Sequence, residues 1–130
     1  MNIVVVDTAH IAGEADFPML DIPKYGWQQF PALAETELAE RCWRSDVIVA
    51  VRAPIDRAVI DKAFKVELIV AAGADYSHID RVAASERGIT VCNIPGADPA
   101  DAAQSERLCA QVIDTIAAYL RGAPINVVGT

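Results

Sequence analysis

Short aliphatic runs recur along the chain: residues 3–6, 47–51, 68–72 and 89–92, almost free of polar alternation and rich in valine and isoleucine. Runs of this length and texture fit strands buried on both faces of a parallel sheet, because a strand with one wet face alternates instead. A weaker run at 25–30 lies between Pro23 and Pro31. Proline has no amide to give to a ladder, so this run predicts an edge strand. Between the runs the period becomes helical. Leu38, Cys42 and Trp43 share a face over 36–44, and Asp56 is placed to cap a helix through Ala63 with Val59, Ile60 and Ala63 inward. Ser77 with Asp80 three residues on has capping-box spacing and predicts a helix through Arg87, with Gly88 in the left-handed position past its end. Strand, helix, strand at this spacing gives βαβ units with right-handed crossovers, a doubly wound α/β domain.

The last third is different. Asp98 suits an N-cap and Pro99 a first helical position. From there Leu108, Val112, Ile116 and Leu120 recur every four residues until Gly122 and Pro124. The pattern predicts one amphipathic helix of roughly 23 residues, ~35 Å long. A short apolar tail, 125–128, follows it.

Composition narrows the reading. The 130 residues, 53% of them hydrophobic, suffice for one core and one domain. A formal charge of -7 lacks the basic stripe by which nucleic-acid binders displace counterions, so no nucleic-acid partner is expected. No apolar run approaches the ~20 residues of a membrane span and no basic segment precedes the first one, which points to a cytoplasmic protein. Cys42, Cys92 and Cys109 are odd in number and far apart. They predict buried reduced thiols rather than a disulfide framework or a metal site.

The glycines (13, 26, 73, 88, 96, 122 and 129) are nowhere separated by a single residue. The G-x-G-x-x-G fingerprint and the Walker loop are therefore absent, and with them the usual backbone cradle for a pyrophosphate. No cofactor is expected to bind these residues. A receiver domain would need an acidic cluster and a lysine after the last strand, but Asp7 stands alone and 93–95 read Asn-Ile-Pro. A flavodoxin would need a hydroxyl-rich phosphate loop where 7–11 read Asp-Thr-Ala-His-Ile. What remains are the loops after the strands. Small residues at Ala72, Gly73 and Ala74 can leave amides open to a carboxylate, or can form an ordinary turn. Arg52 can clamp an acid or simply meet solvent. Asn93 can bind a ligand or tie its own turn. His10 and His78 have no evident orienting partner, so no catalytic residue is assigned. Trp27 and Trp43 are expected to pack in the core or at an interface.

Residues 45–96, with G-x-x-x-x-x-I-D at 73–80 and V-x-N-x-P-G at 91–96, resemble the substrate-binding domain of NAD-dependent D-2-hydroxyacid dehydrogenases, the family of glycerate, phosphoglycerate and formate dehydrogenases. Residues 116–122, with Pro124, Asn126, Val127 and Val128, resemble that family's last helix and tail. The resemblance implies a flavodoxin-like, five-stranded parallel sheet in the order 2-1-3-4-5 with a long C-terminal helix. It implies substrate binding by Arg52, Ala72, Gly73, Ala74 and Asn93. The parent enzymes interconvert 2-hydroxy and 2-keto acids with NAD or NADP, on a nucleotide-binding domain inserted between the two matching pieces. That domain carries the glycine fingerprint and the catalytic arginine, glutamate and histidine. Here 98–103 run almost directly into the last helix, which implies one domain made of 1–103 joined to 104–130, catalytically silent and without cofactor. Asp75 stands where the family commonly has a second glycine, and Ser77 where it commonly has aspartate. A carboxylate pointing inward at Asp75 would repel an acid. The alternatives are a small hydroxy- or keto-acid-binding or regulatory module and a purely structural fragment. Because the family dimerises through the nucleotide domain, a monomer is expected, with a dimer as the alternative and the 93–96 face as a place for weak self-association.

Overall fold

In the computed structural model, which describes residues 1–128, β1 (Asn2–Val5), β2 (Gly26–Gln29), β3 (Val47–Ala50), β4 (Leu68–Ala71) and β5 (Thr90–Cys92) form one sheet in the order β2-β1-β3-β4-β5. Every neighbouring pair is parallel, with Ile3 opposite Val47 and Val47 opposite Leu68. The helices are α1 (Glu35–Cys42), α2 (Arg57–Lys62), α3 (Arg81–Glu86) and α4 (Ser105–Leu120). The connection from β1 steps outward to β2, while all later crossovers step the other way. Crossovers of one hand must then lie on opposite faces of the sheet.

The core shows this division residue by residue. Ile3, Val5, Val47, Val49, Leu68 and Val70 point to α4 and to Ile11 and Leu20 of the β1–β2 connection. Their neighbours Val4, Val6, Ile48, Ala50, Ile69 and Ala71 point to α1, α2 and α3. The strand period of two thus fills both layers from uninterrupted apolar runs. The weak run at 25–30 is the edge strand β2. At the other edge the tail closes the sheet: Val127 bridges Cys92 in antiparallel sense, and the Val128 amide donates to the Val91 carbonyl at 2.8 Å. Asn126 takes a φ of 58° there, a left-handed conformation that asparagine tolerates better than most residues. An edge of open backbone groups is thereby paired rather than left as a template for aggregation.

Two helix starts differ from the sequence expectation. The helix expected from Ser77 begins only at Arg81, capped by Asp80, whose Oδ1 accepts from the Ala83 amide at 3.0 Å. The reason is pairing. Ile79 bridges Ile55, the Ile55 amide donates to the His78 carbonyl and the Asp80 amide to the Ile55 carbonyl, so 79–80 are tied to Ile55 and the helix starts only after them. The long C-terminal helix is likewise shorter, 16 residues, or about 24 Å at 1.5 Å per residue, entered through a 3-10 turn at Ala102–Gln104. Asp98 does not cap it; its Oδ1 accepts from the Ala100 amide at 2.9 Å, and Asp101 takes the Ala103 amide. Pro99 does not open it either, since its carbonyl accepts from the Ala12 amide at 2.7 Å. Residues 97–104 are spent crossing the end of the sheet. Gly88 (φ 69°) and Gly122 (φ 78°) end their helices as expected. Trp43 departs from the face of Leu38 and Cys42 and is 45% exposed. Arg87 lays its guanidinium across the end of α2, donating to the carbonyls of Ile60, Ala63 and Phe64.

All three thiols are buried and free. Burial pushes Cys42 up to about 12 and Cys92 up to about 11, from 9.0. The folded chain therefore holds these protons more tightly than the unfolded one. Stability is full below about pH 9 and is lost as pH rises from there toward the folded values. Urea midpoints are expected to be level between about pH 7 and 8.5 and to fall above about pH 9, less steeply in Cys42→Ala. A native chain labelled rapidly by a thiol reagent at neutral pH would contradict this burial.

Candidate functional site

The carboxyl ends of the strands converge on one side of the sheet, where the loops after β1, β3, β4 and β5 meet residues 97–104. At their centre is Asp7, only 3% exposed. Its Oδ1 accepts from the Val51 amide at 2.8 Å, and its Oδ2 accepts from the amides of Arg52 and Ala53, each at 2.7 Å. Successive amides leaving a strand end form a natural nest for an anion. Here the chain's own carboxylate fills it and fixes the loop that carries Arg52. His10 is the neighbour of this carboxylate, with Nε2 3.9 Å from Asp7 Oδ2. The sequence reading gave both residues no partner. The signal was present in the spacing, since Asp7 precedes His10 by three residues and a 3-10 turn at Thr8–His10 brings such positions together.

A cleft of about 270 Å³ lies beside this nest, lined by Val51, Arg52, Gly73, Ala74, Asp75, Ala97, Asp98 and Pro99. It gathers Arg52, Gly73 and Ala74 among the five residues singled out from the sequence. Ala72 is buried beneath it. Asn93 stands behind it, its Nδ2 donating to the Ala74 carbonyl at 3.0 Å, so its side chain braces the loop. The expectation of open amides at 72–74 is corrected by the hydrogen bonds. Ala72 donates to the Ala50 carbonyl at 3.0 Å, Gly73 to Ala71 at 2.9 Å and Ala74 to Ala97 at 3.0 Å. Pro99 also closes over the loop: a Cβ built on Gly73 would meet the proline Cδ at 3.0 Å. A larger residue there would need the Pro99 ring to give by a few tenths of an ångström.

The charges in the cleft are mixed. Arg52 contributes one positive charge, and Asp75 and Asp98 contribute two negative ones. The Asp75 carboxylate is folded back on its own loop, with Oδ1 accepting from the Ser77 amide at 2.8 Å. Hydrogen bonds from Ser77, and then the charges of His78 and Arg52, hold this carboxyl below its ordinary range. His78 sits in the turn ahead of α3, half-buried, rather than in the first turn of a helix. Its Nε2 lies 3.0 Å from the Ala50 carbonyl; a carbonyl only accepts, so that nitrogen carries the hydrogen.

Fold and cleft together define a doubly wound domain of flavodoxin type with a cleft outside the carboxyl ends of its strands, the place where sheets of this kind take ligands. Residues 7–129 match the D-isomer specific 2-hydroxyacid dehydrogenase family, catalytic domain, and the chain belongs to that family. A curated Haemophilus influenzae protein named after the 2-hydroxyacid dehydrogenases is 26% identical over 96 residues, covering 74% of this chain and 30% of the relative. A Thermus thermophilus protein of known structure is 28% identical with a TM-score of 0.58, over 74% of this chain and 31% of its own. The NAD+-bound 3-phosphoglycerate dehydrogenase of Entamoeba histolytica shares the fold at a TM-score of 0.58 and 24% identity, over 72% of this chain and 32% of its own. The chain spans about 30% of the length of the curated relative it matches.

Proposed function

We propose that these 130 residues are the substrate-binding half of a D-2-hydroxyacid dehydrogenase closed on itself, a folded domain that does not transfer hydride. The observation that carries this reading is the join. Ala97, whose carbonyl takes the Ala74 amide, is followed within eight residues by Ser105 of α4. The intervening stretch is tied down by Asp98, Asp101 and Gln104, the Asp98 amide donating to Gln104 Oε1 at 2.9 Å. The family resemblance implies that a nucleotide domain occupies that place in the longer relatives, of which this chain covers about 30%. The domain would then consist of 1–103 and 104–130, with residues 129–130 outside the described part.

Hydride transfer needs a nicotinamide held against the substrate carbon with an acid–base group beside it. The residues present do not fit a dinucleotide. The sequence has no glycine fingerprint, and the amides that could replace it are committed: Thr8 donates to the Phe30 carbonyl, Ala9 to Pro31 and His10 to Asp7, while those after β3 are taken by Asp7. The cleft retains one feature of an acid-binding site, the Arg52 side chain, set against Asp75 and Asp98. A 2-hydroxy or 2-keto acid would bind there weakly, in a cytoplasmic setting where the three thiols stay reduced.

With NADH and glyoxylate or hydroxypyruvate, no loss of nicotinamide absorbance is expected beyond the protein-free control. Turnover at a rate usual for enzymes, on the order of 1 per second or more, would overturn the reading. Melting temperature in millimolar glycerate separates the second reading, a small-acid sensor built on Arg52. Saturable stabilisation lost in Arg52→Ala would favour the sensor, and no shift favours the silent domain.

A further inference from the structure

We infer that the hollow between the 95–97 turn and α4 is a ligand site for a small oxyanion, separate from the cleft at Arg52. It has a volume of about 250 Å³, with residues 95–97 in one wall and Gln104, Arg107, Leu108 and Gln111 in the other. Ala97 borders both this hollow and the cleft, so the chain around it divides the two.

The two differ in chemistry. The cleft sets Arg52 against Asp75 and Asp98. The lining here holds one charged side chain, Arg107, and no carboxylate, in a chain whose formal charge is -7. The Arg107 guanidinium makes no ion pair or hydrogen bond with the described residues, and neither does the Gln111 side-chain amide. These two stand four residues apart on one face of α4, with Gln104 a turn ahead of them. Gln104 gives one amide hydrogen to Asp101 Oδ2 at 3.1 Å, which leaves its second hydrogen over; Asp101 lies outside the lining.

The facing wall adds a backbone donor. The Ala97 amide closes a turn on the Ile94 carbonyl at 3.2 Å, with Pro95 and Gly96 (φ 76°) as the central pair. In a type II turn of this kind the glycine amide lies outside the turn's own hydrogen bond. The Gly96 amide has no acceptor among the described residues. Donors in both walls, with no acid between them, fit a group that only accepts and carries several oxygens, a phosphate or a carboxylate. Position adds to this. Arg107 lies in the first turn of a 16-residue helix, where the positive end of the dipole opposes a cation, and an anion beside it is favoured by both. The 93–96 face, expected from the sequence to self-associate weakly, is thus a polar one, since Ile94 and Ala97 are buried. The inference stands apart from the functional reading, because it uses none of the cleft's charges.

Amide chemical shifts of the whole chain, titrated with inorganic phosphate and separately with acetate at constant ionic strength in chloride, test it. Gly96 and Arg107 are expected to shift saturably in the millimolar range. Saturation with phosphate alone identifies a phosphate-bearing ligand, and saturation with acetate identifies a carboxylate. Arg107→Ala should weaken the affinity by roughly tenfold or more, with unchanged circular dichroism, and Arg52→Ala should leave it as it is. Shifts that only grow linearly with both anions overturn the proposal. So do saturable shifts that survive Arg107→Ala or vanish in Arg52→Ala.

Discussion

Replacing Asp7 by alanine is expected to remove about 3–5 kcal/mol of folding stability, a fall in melting temperature of roughly 10–20 °C for a chain of this size. The carboxylate satisfies three amides at 2.7–2.8 Å in a place almost closed to water. Hydrogen bonds to a charged group contribute about 1.5–3 kcal/mol each, and a buried donor left alone costs about 1–3 kcal/mol. These contributions share one acceptor and do not add in full. Asp7→Asn keeps the shape but must turn an NH₂ toward one of the donors, so an intermediate loss is expected. Urea unfolding followed by circular dichroism reads both. A loss below about 1 kcal/mol in Asp7→Ala would show that water or loop movement replaces the carboxylate.

The second large effect concerns α4. Leu108, Cys109, Val112, Ile113 and Ile116 from this helix cover the sheet face formed by Ile3, Val5, Val47, Val49, Leu68 and Val70. Among the described residues no other α-helix lies on that face; the β1–β2 connection shares it. Val112 is fully buried, and Val112→Asp would place a carboxylate there among apolar side chains. The chain would have to protonate the acid or expose the layer, at a cost of several kcal/mol, comparable with the whole stability of a domain this size. Loss of the cooperative transition is expected at pH 7, with partial recovery near pH 4 as the acid becomes neutral. A variant melting within a few degrees of the wild type at pH 7 would mean that α4 is peripheral.

Much of this architecture was legible in the residues. Four strands follow from aliphatic runs, β2 from the weaker, proline-flanked run at 25–30, and the strand order from the family likeness. Asp56 caps α2 as the spacing predicts, its Oδ1 accepting from the Val59 amide. The misread helix starts share a cause. At Ser77 and at Asp98 the local cap chemistry is present, but longer-range contacts (Ile79 with Ile55, Pro99 with Ala12 and Gly73) tie up the residues past the signal and delay the helix. Local spacing carries no information about such partners. The cleft was legible in part. Arg52, Gly73 and Ala74 meet because parallel strands place their following loops at one end. That the Ala74 amide is already satisfied depends on the Ala97 carbonyl, which leads into the join. Asp7 was missed because a lone carboxylate after a strand has no motif; its partners are amides 44–46 residues away.

The central claim is that the two pieces flanking the join form one cooperative domain. Native-state amide hydrogen exchange measures this directly. The buried amides of α4 around Val112 and Ile116 are expected to open with the same free energy as those of β3 and β4, within about 1 kcal/mol, because they meet water only when the sheet does. Exchange in α4 at rates near those of an unprotected chain, while β3 and β4 stay protected, would contradict it.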